Sequence, residues 1–291
     1  MIDRADRMVD WDYMIRAIEL TPPIHEPGTR TGYHGLTFGY LVGEILQRVT
    51  GTSFAQLVQD EIAGPLGLDG MYVGAPDEAL PRAASLLWPQ SSLLAPGLPN
   101  GSRAFQRIFS DTAGAAGGVF EKIANGIGFQ LDIQSIRDAL APRGISEFQF
   151  DAQRTLRASI PAANGLFTAR SLARMYAVLA AGGEMDGVRL ISRETLDRAT
   201  EVQQRPSERV VIPFDMKWRL GYHGVMTSRG SPKNAFGHFG FGGSGAWADP
   251  RRNLAVGLIV NSGMGTPFGD LRVIRVGGAA LGCADRRRRA V

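Results

Sequence analysis

The stretch Thr31-Gly32-Tyr33-His34-Gly35-Leu36-Thr37-Phe38-Gly39-Tyr40-Leu41-Val42-Gly43-Glu44-Ile45-Leu46-Gln47-Arg48-Val49-Thr50-Gly51 decides the reading of this chain. Phe38, Leu41, Val42, Ile45, Leu46 and Val49 fall at i, i+3, i+4, i+7, i+8 and i+11, one continuous apolar stripe on a helix. Thr37 is placed to cap its start, and Gly51 stands where a helix ends in a left-handed residue. Tyr33 sits just ahead of this helix, followed by His34 and Gly35.

On the N-terminal side, residues 10–20 read as a helix. Asp10 is its N-cap, Trp11, Met14, Ile15 and Ile18 share a face, and Pro22-Pro23 stops it. On the C-terminal side, Ser53 and Gln56 have capping-box spacing ahead of Phe54, Leu57, Val58 and Ile62, and Gly64-Pro65 closes that helix. Residues 76–155 show no sustained period beyond a short helical pattern at Ser135–Leu140. An irregular stretch of this length inside a domain reads as binding loops or a lid. After Asn164-Gly165, Thr168 caps a helix carrying Leu172, Met175, Tyr176 and Leu179, closed by Gly182-Gly183.

The last third changes character. Gly243–Asp249 and Leu254–Asn261, joined by Pro250-Arg251-Arg252-Asn253, read as an antiparallel hairpin. The group Lys217-Trp218 and Tyr222-His223 reads as a strand with no assigned chemistry. A final amphipathic helix begins near Asp270 with Leu271, Ile274 and Val276. Helices first and strands later predict an α+β fold with an antiparallel sheet. The expected division is one domain over 1–291. A mostly helical lobe covers about 10–200, later strands and a helix cover about 205–280, and a basic tail covers 284–291.

Composition narrows the classes. Hydrophobic residues make up 44% and charged residues 21%, the balance of a globular chain with a sizeable core. The single cysteine, Cys283, excludes an internal disulfide framework. No run reaches the roughly 18 apolar residues of a membrane span. Met1–Asp12 is charged and lacks an apolar signal core, which points to a cytoplasmic chain, with the compartment left open if the parent protein starts upstream. The net charge of +4 includes the run Arg286-Arg287-Arg288-Arg289, read as a solvated, disordered tail. No aromatic residues are interleaved with it, so no nucleic-acid partner is expected.

Two segments carry a family resemblance. Thr31-Gly32-Tyr33-His34-Gly35 with its helix, and Gly237-His238-Phe239-Gly240 opening a glycine-rich hairpin, resemble the second and third motifs of the β-lactamase-like serine hydrolases. Gly64-Pro65-Leu66-Gly67-Leu68 and Asn164-Gly165-Leu166-Phe167-Thr168 are similar to the same family. The resemblance runs from about Trp11 to the end and is weakest across 85–155. It implies a β-lactamase/transpeptidase-like fold, with an antiparallel sheet flanked by helices, a helical lobe and the site between them. It implies a small-molecule ester as substrate and no cofactor.

By that resemblance Tyr33 acts with a motif lysine as general base for a serine. His238 stands where β-lactamases carry the lysine of Lys-Thr-Gly, a replacement common in the esterase branch. Gly240 lets substrate approach the backbone, and the Phe241 N–H points at the developing oxyanion. Gly35 stands where β-lactamases carry asparagine, which weakens a penicillinase reading.

The nucleophile does not appear. No serine precedes Tyr33, and no serine or threonine has lysine three residues later. Ser171 has Arg174 at that offset, and arginine does not serve as a deprotonated base. Ser244, in Gly242-Gly243-Ser244-Gly245-Ala246, misses the Gly-x-Ser-x-Gly elbow by one residue and precedes a strand. His25-Glu26 and His34 lack metal-ligand spacing, so no metal site is expected.

The expectation is therefore an N-terminally truncated serine hydrolase of the esterase and lipase branch. The first strands and the nucleophile helix are missing, the chain is inactive alone, and the uncovered apolar faces lead to self-association. Two alternatives stand beside it: a non-catalytic ligand-binding relative, and a hydrolase using Ser244.

Overall fold

The computed structural model describes residues 2–29, 32–87, 140, 142–145, 147–203, 215–240, 242–262 and 271–289. After a short 3-10 turn, Ala5–Val9, the first helix is α1 (Trp11–Glu19). Asp10 caps it by accepting the Tyr13 N–H at 3.0 Å, as the sequence predicts. The helix after Tyr33 is α2 (Thr37–Thr50), ended by Gly51 at φ 71°. Thr37 does not cap it. Leu36 holds the N-cap position without a side-chain bond, and the Thr37 hydroxyl lies 3.0 Å from His34 Nδ1. Ser53 caps α3 (Phe54–Val58), which continues as a π-turn over Gln59–Ala63. The capping box is half made, because the Gln56 side chain turns forward to Asp60.

The side of α2 that packs inward is not the apolar stripe. Gly39, Tyr40 and Gly43 are its buried residues. Trp11 lies against Gly43 and bonds Glu44 at 2.7 Å, and the Tyr40 hydroxyl donates to Met8 O. Ile45 and Val49 remain 62% and 79% exposed, and Phe38, Leu41, Val42 and Leu46 are exposed with them. A core of Met8, Met14, Ile15, Leu36, Tyr40, Phe148 and Ile160 joins the first helices to the segment before α4 (Gln153–Arg157) and the loop after it.

Two short antiparallel pairs follow from the middle of the chain. Strand β1 (Met71–Tyr72) pairs with β2 (Leu166–Phe167), and β3 (Glu184–Met185) with β4 (Val188–Arg189). Between them runs α5 (Ala169–Ala180), capped by Thr168, and α6 (Arg193–Thr200) comes after.

The main sheet has the order β5 (His223–Gly224), β6 (Phe236–Phe239), β7 (Gly245–Asp249), β8 (Leu254–Leu258), all antiparallel. The hairpin read from the sequence is β7–β8, turned by Asn253 at φ 47°. Alternation along β7 divides the two layers. Ala246 and Ala248 join Leu172, Tyr176 and Leu179 of α5, while Trp247 joins Val273 and Leu281 of α7 (Leu271–Arg289). The sheet is thus covered by α5 on one face and α7 on the other, an α+β arrangement.

Two expectations about the chain's end change. The arginine run is not a loose tail, since α7 continues through it to Arg289. The start near Asp270 lies outside the described residues, as does the Ser135–Leu140 helix apart from Leu140. Among the described residues no helix is long and apolar enough to cross a membrane.

Candidate active site

The site is built where the segment before α2 meets the β5–β6 edge of the sheet. In β6, His238 pairs with Ala246 and shares a face with Phe236 by strand alternation. The Tyr33 ring lies 6.4 Å from the His238 ring at 16°, a stacked pair. Tyr33 also stacks on Trp218 at 5.4 Å and 22°. His223, on β5, completes the cluster at 4.9 Å from His238 and 6.0 Å from Trp218.

Local backbone bonds hold Trp218 over Tyr33. Lys217 turns the chain at φ 53°, with its N–H on Asp215 at 2.8 Å. The Trp218 carbonyl accepts from the Gln203 N–H, and Gly224 N–H bonds Met216 O at 2.7 Å. Next to Trp218, the buried Arg219 reaches Thr200 O at 2.6 Å and Lys233 O at 3.2 Å. This guanidinium ties the Trp218 segment to two others, at Thr200 and at Lys233.

His223 has both ring nitrogens engaged. Nδ1–H donates to Gly224 O at 2.7 Å, and Nε2 accepts the Phe239 N–H at 3.3 Å. That pattern requires the neutral ring protonated on Nδ1. Burial pushes its pKa down, opposed by the bond to Gly224 O. His238 is pushed down to about 4, by burial first and by His223 second. Tyr33 is pushed up by burial. At neutral pH the cleft therefore holds a phenol and two uncharged imidazoles. Its other walls are Met216, Met226, Val273 and Ile274, around about 480 Å³ of space partly open to solvent.

Gly35 lies beside Tyr33, and a side chain there would have to displace Leu140. A Cβ there would come within 2.0 Å of Leu140 Cδ2 and 3.3 Å of Tyr33 Cε1. Leucine thus fills the space next to the tyrosine. Gly240 begins a tight turn, its N–H on Ser244 O at 2.8 Å, with Gly242 and Gly243 at φ 88° and 99°. Phe241, the expected oxyanion donor, lies outside the described residues. Ser244 is committed elsewhere. Its hydroxyl donates to Val260 O at 3.1 Å and accepts the Val260 N–H at 3.0 Å, closing the end of the β7–β8 pair. As a nucleophile Ser244 would have to give up the bond it donates to Val260 O. Among the described residues no His, Cys, Asp or Glu group is arranged to hold a metal ion.

The structure brings Tyr33, Gly35 and His238 together. It adds Trp218, His223 and Leu140, which sequence reasoning left without a role. Trp218 and His223 stood in a group read only as a strand. Nothing local marks an indole as the stacking partner of a ring far away in the chain.

An antiparallel sheet held between α5 and α7, with a tyrosine–histidine ring pair at its edge, defines a β-lactamase/transpeptidase-like protein. The Beta-lactamase family profile matches residues 3–280, and the chain belongs to that family. It is 35% identical over 235 residues to the esterase/beta-lactamase LipL of Mycobacterium tuberculosis, covering 80% of this chain and 48% of that protein. A penicillin-binding protein homolog from Caulobacter crescentus superposes with a TM-score of 0.69 at 31% identity, over 94% of this chain and 64% of its own. A family VIII carboxylesterase gives a TM-score of 0.70 at 27% identity, over 96% and 65%. The chain thus spans about half the length of the curated relative and under two thirds of the two solved structures.

Proposed function

We propose that this chain carries the tyrosine–histidine part of an acyl-ester hydrolase site, completed in the parent protein by a serine–lysine pair. The observation that carries this reading is the stacking of Tyr33 on His238 at 6.4 Å, two residues from opposite ends of the chain. In the complete site the serine hydroxyl gives its proton toward Tyr33 and the lysine while its oxygen attacks the ester carbonyl. The family resemblance assigns the oxyanion to the N–H of the residue that follows Gly240. His238, a neutral imidazole, donates a hydrogen bond to the ester.

Two features favour esters over lactams. Gly35 offers no side-chain amide, and Leu140 takes that space. Among the described residues the cleft lining brings no formal charge to hold an anionic substrate. The name of the family VIII carboxylesterase supports the same direction, and that of LipL carries both activities.

Alone, the chain lacks the chemistry to activate a nucleophile. Poising a tyrosine near pH 7 takes roughly 4 kcal/mol of stabilisation of the phenolate, ordinarily from a nearby cation. Burial works against that here. The same observation favours a second reading, a cleft that binds a ligand without turning it over.

The test is a chimera that supplies a Ser-x-x-Lys helix of this family ahead of Ile2. It is expected to hydrolyse short p-nitrophenyl esters and to lose that activity with Tyr33→Phe. The isolated chain is expected to show no turnover and no fluorophosphonate adduct by intact mass. An adduct on the isolated chain would overturn the assignment of an absent nucleophile. A folded but inert chimera that still binds an ester analogue would favour the ligand-binding reading.

A further inference from the structure

Helix α7 presents an outer face of one charge sign. Val273, Gly277, Gly278 and Leu281 turn inward, while Arg275, Val276, Ala279, Cys283, Arg286 and Arg287 turn outward. The outward positions fall at i, i+1, i+4, i+8, i+11 and i+12, a single strip along the helix. Its only charged residues are arginines. The acid of this helix, Asp285, pairs with Arg252 at 2.7 Å, and the same arginine holds Asp249 at 2.8 Å. Arg275, Arg286, Arg287 and Arg288 make no ion pair among the described residues. Arg272, at the start of the helix, is engaged by Gly242 O and Ser262 O and is no part of this surface.

We propose that this face of α7 docks on an anionic bilayer surface. The helix is 19 residues long, a straight rod of about 28 Å. Arginine lies toward both ends of the strip. Val276, Ala279 and Cys283 between them are short enough to let the rod lie flat on a boundary. Each juxtamembrane cation strengthens binding to an anionic leaflet roughly fivefold. A nucleic-acid strand would call for aromatic rings to stack on, and the strip carries none. Docking requires no catalytic activity of the chain.

The full chain is mixed with vesicles of phosphatidylcholine alone, and with vesicles in which a third of the lipid is phosphatidylglycerol. Sedimentation is expected with the anionic vesicles at low salt, but not with the neutral ones, and is lost near 0.5 M salt, about where the Debye length falls to a few ångström. Combining Arg275→Gln, Arg286→Gln and Arg287→Gln is expected to weaken binding on the order of 100-fold, with an unchanged circular dichroism spectrum. The matching lysine substitutions are expected to retain it. Equal binding to neutral vesicles would overturn the proposal and assign adsorption to the exposed stripe of α2. So would anionic binding unaffected in the glutamine variant, no sedimentation at low salt, or capture of an RNA duplex that anionic vesicles fail to displace.

Discussion

Tyr33 lies flat against His238, ring centroids 6.4 Å apart and planes within 16°, and neither ring carries charge at neutral pH. The pair therefore has a pH signature. His238 binds its proton near 4 in the fold and near 6.5 when unfolded. Between those values the unfolded chain holds more protons, so stability rises with pH. The contribution is complete above 6.5 and is lost as pH falls toward 4. His223, also depressed by burial, acts with the same sign. Unfolding in urea from pH 7 down to pH 4 is expected to show a loss on the order of 2 kcal/mol assignable to His238. His238→Gln should flatten that part of the profile, and an unchanged slope would refute the buried neutral histidine.

Gly35 and Leu140 form a testable pair. Gly35→Asn places a side chain where Leu140 Cδ2 now lies. A cost of about 1–3 kcal/mol is expected from overpacking. Leu140→Ala on that background should recover a large part of it, since the obstruction is the end of a flexible side chain. A double-mutant cycle by chemical unfolding measures the coupling. Additive costs would mean that the two positions do not meet.

Ser244 is structural in this chain. Ser244→Ala removes the hydrogen-bond partner of both the Val260 carbonyl and the Val260 N–H at once. The expected loss is about 1–3 kcal/mol, because two polar backbone groups lose their partner. Reactivity toward a fluorophosphonate should be absent before and after the change. A serine adduct mapped to residue 244 by peptide mass would reverse this assignment.

The uncovered stripe of α2 predicts self-association. Ile45 and Val49 are the most exposed of its apolar residues. Sedimentation velocity is expected to show association that rises with concentration and weakens in Ile45→Glu, with little change in the thermal midpoint. A monodisperse monomer that is indifferent to Ile45→Glu would show that the stripe is harmless in water.

How much was legible in the sequence differs from element to element. Helix α1 follows from Asp10 and the spacing of Trp11, Met14 and Ile15, since capping and amphipathic period act within a few residues. The turn of α2 at Gly51, the Thr168 cap of α5 and the β7–β8 hairpin are local in the same sense. The strongest apolar stripe in the chain lies outward on α2, and the packed side is Gly39, Tyr40 and Gly43, because a ring from α1 needs a surface without side chains to approach closely. The arginine run, read as loose, continues α7 once the first part of that helix is anchored on the sheet by Val273 and Leu281.

By itself the sequence determined the α+β order of elements, the family resemblance, the Tyr33 and His238 candidates and the absence of a Ser-x-x-Lys motif, all of which depend on residue types at short spacing. Only the tertiary structure decided that Trp218 stacks on Tyr33, that His223 is fixed as a neutral ring between Gly224 O and Phe239 N–H, that Leu140 fills the space beside Gly35 and that Ser244 is spent on Val260. Each of those contacts joins residues from separate segments, and which rings and carbonyls meet depends on how the sheet edge, the loop at Arg219 and the segment before α2 pack together. No local period or motif encodes that meeting.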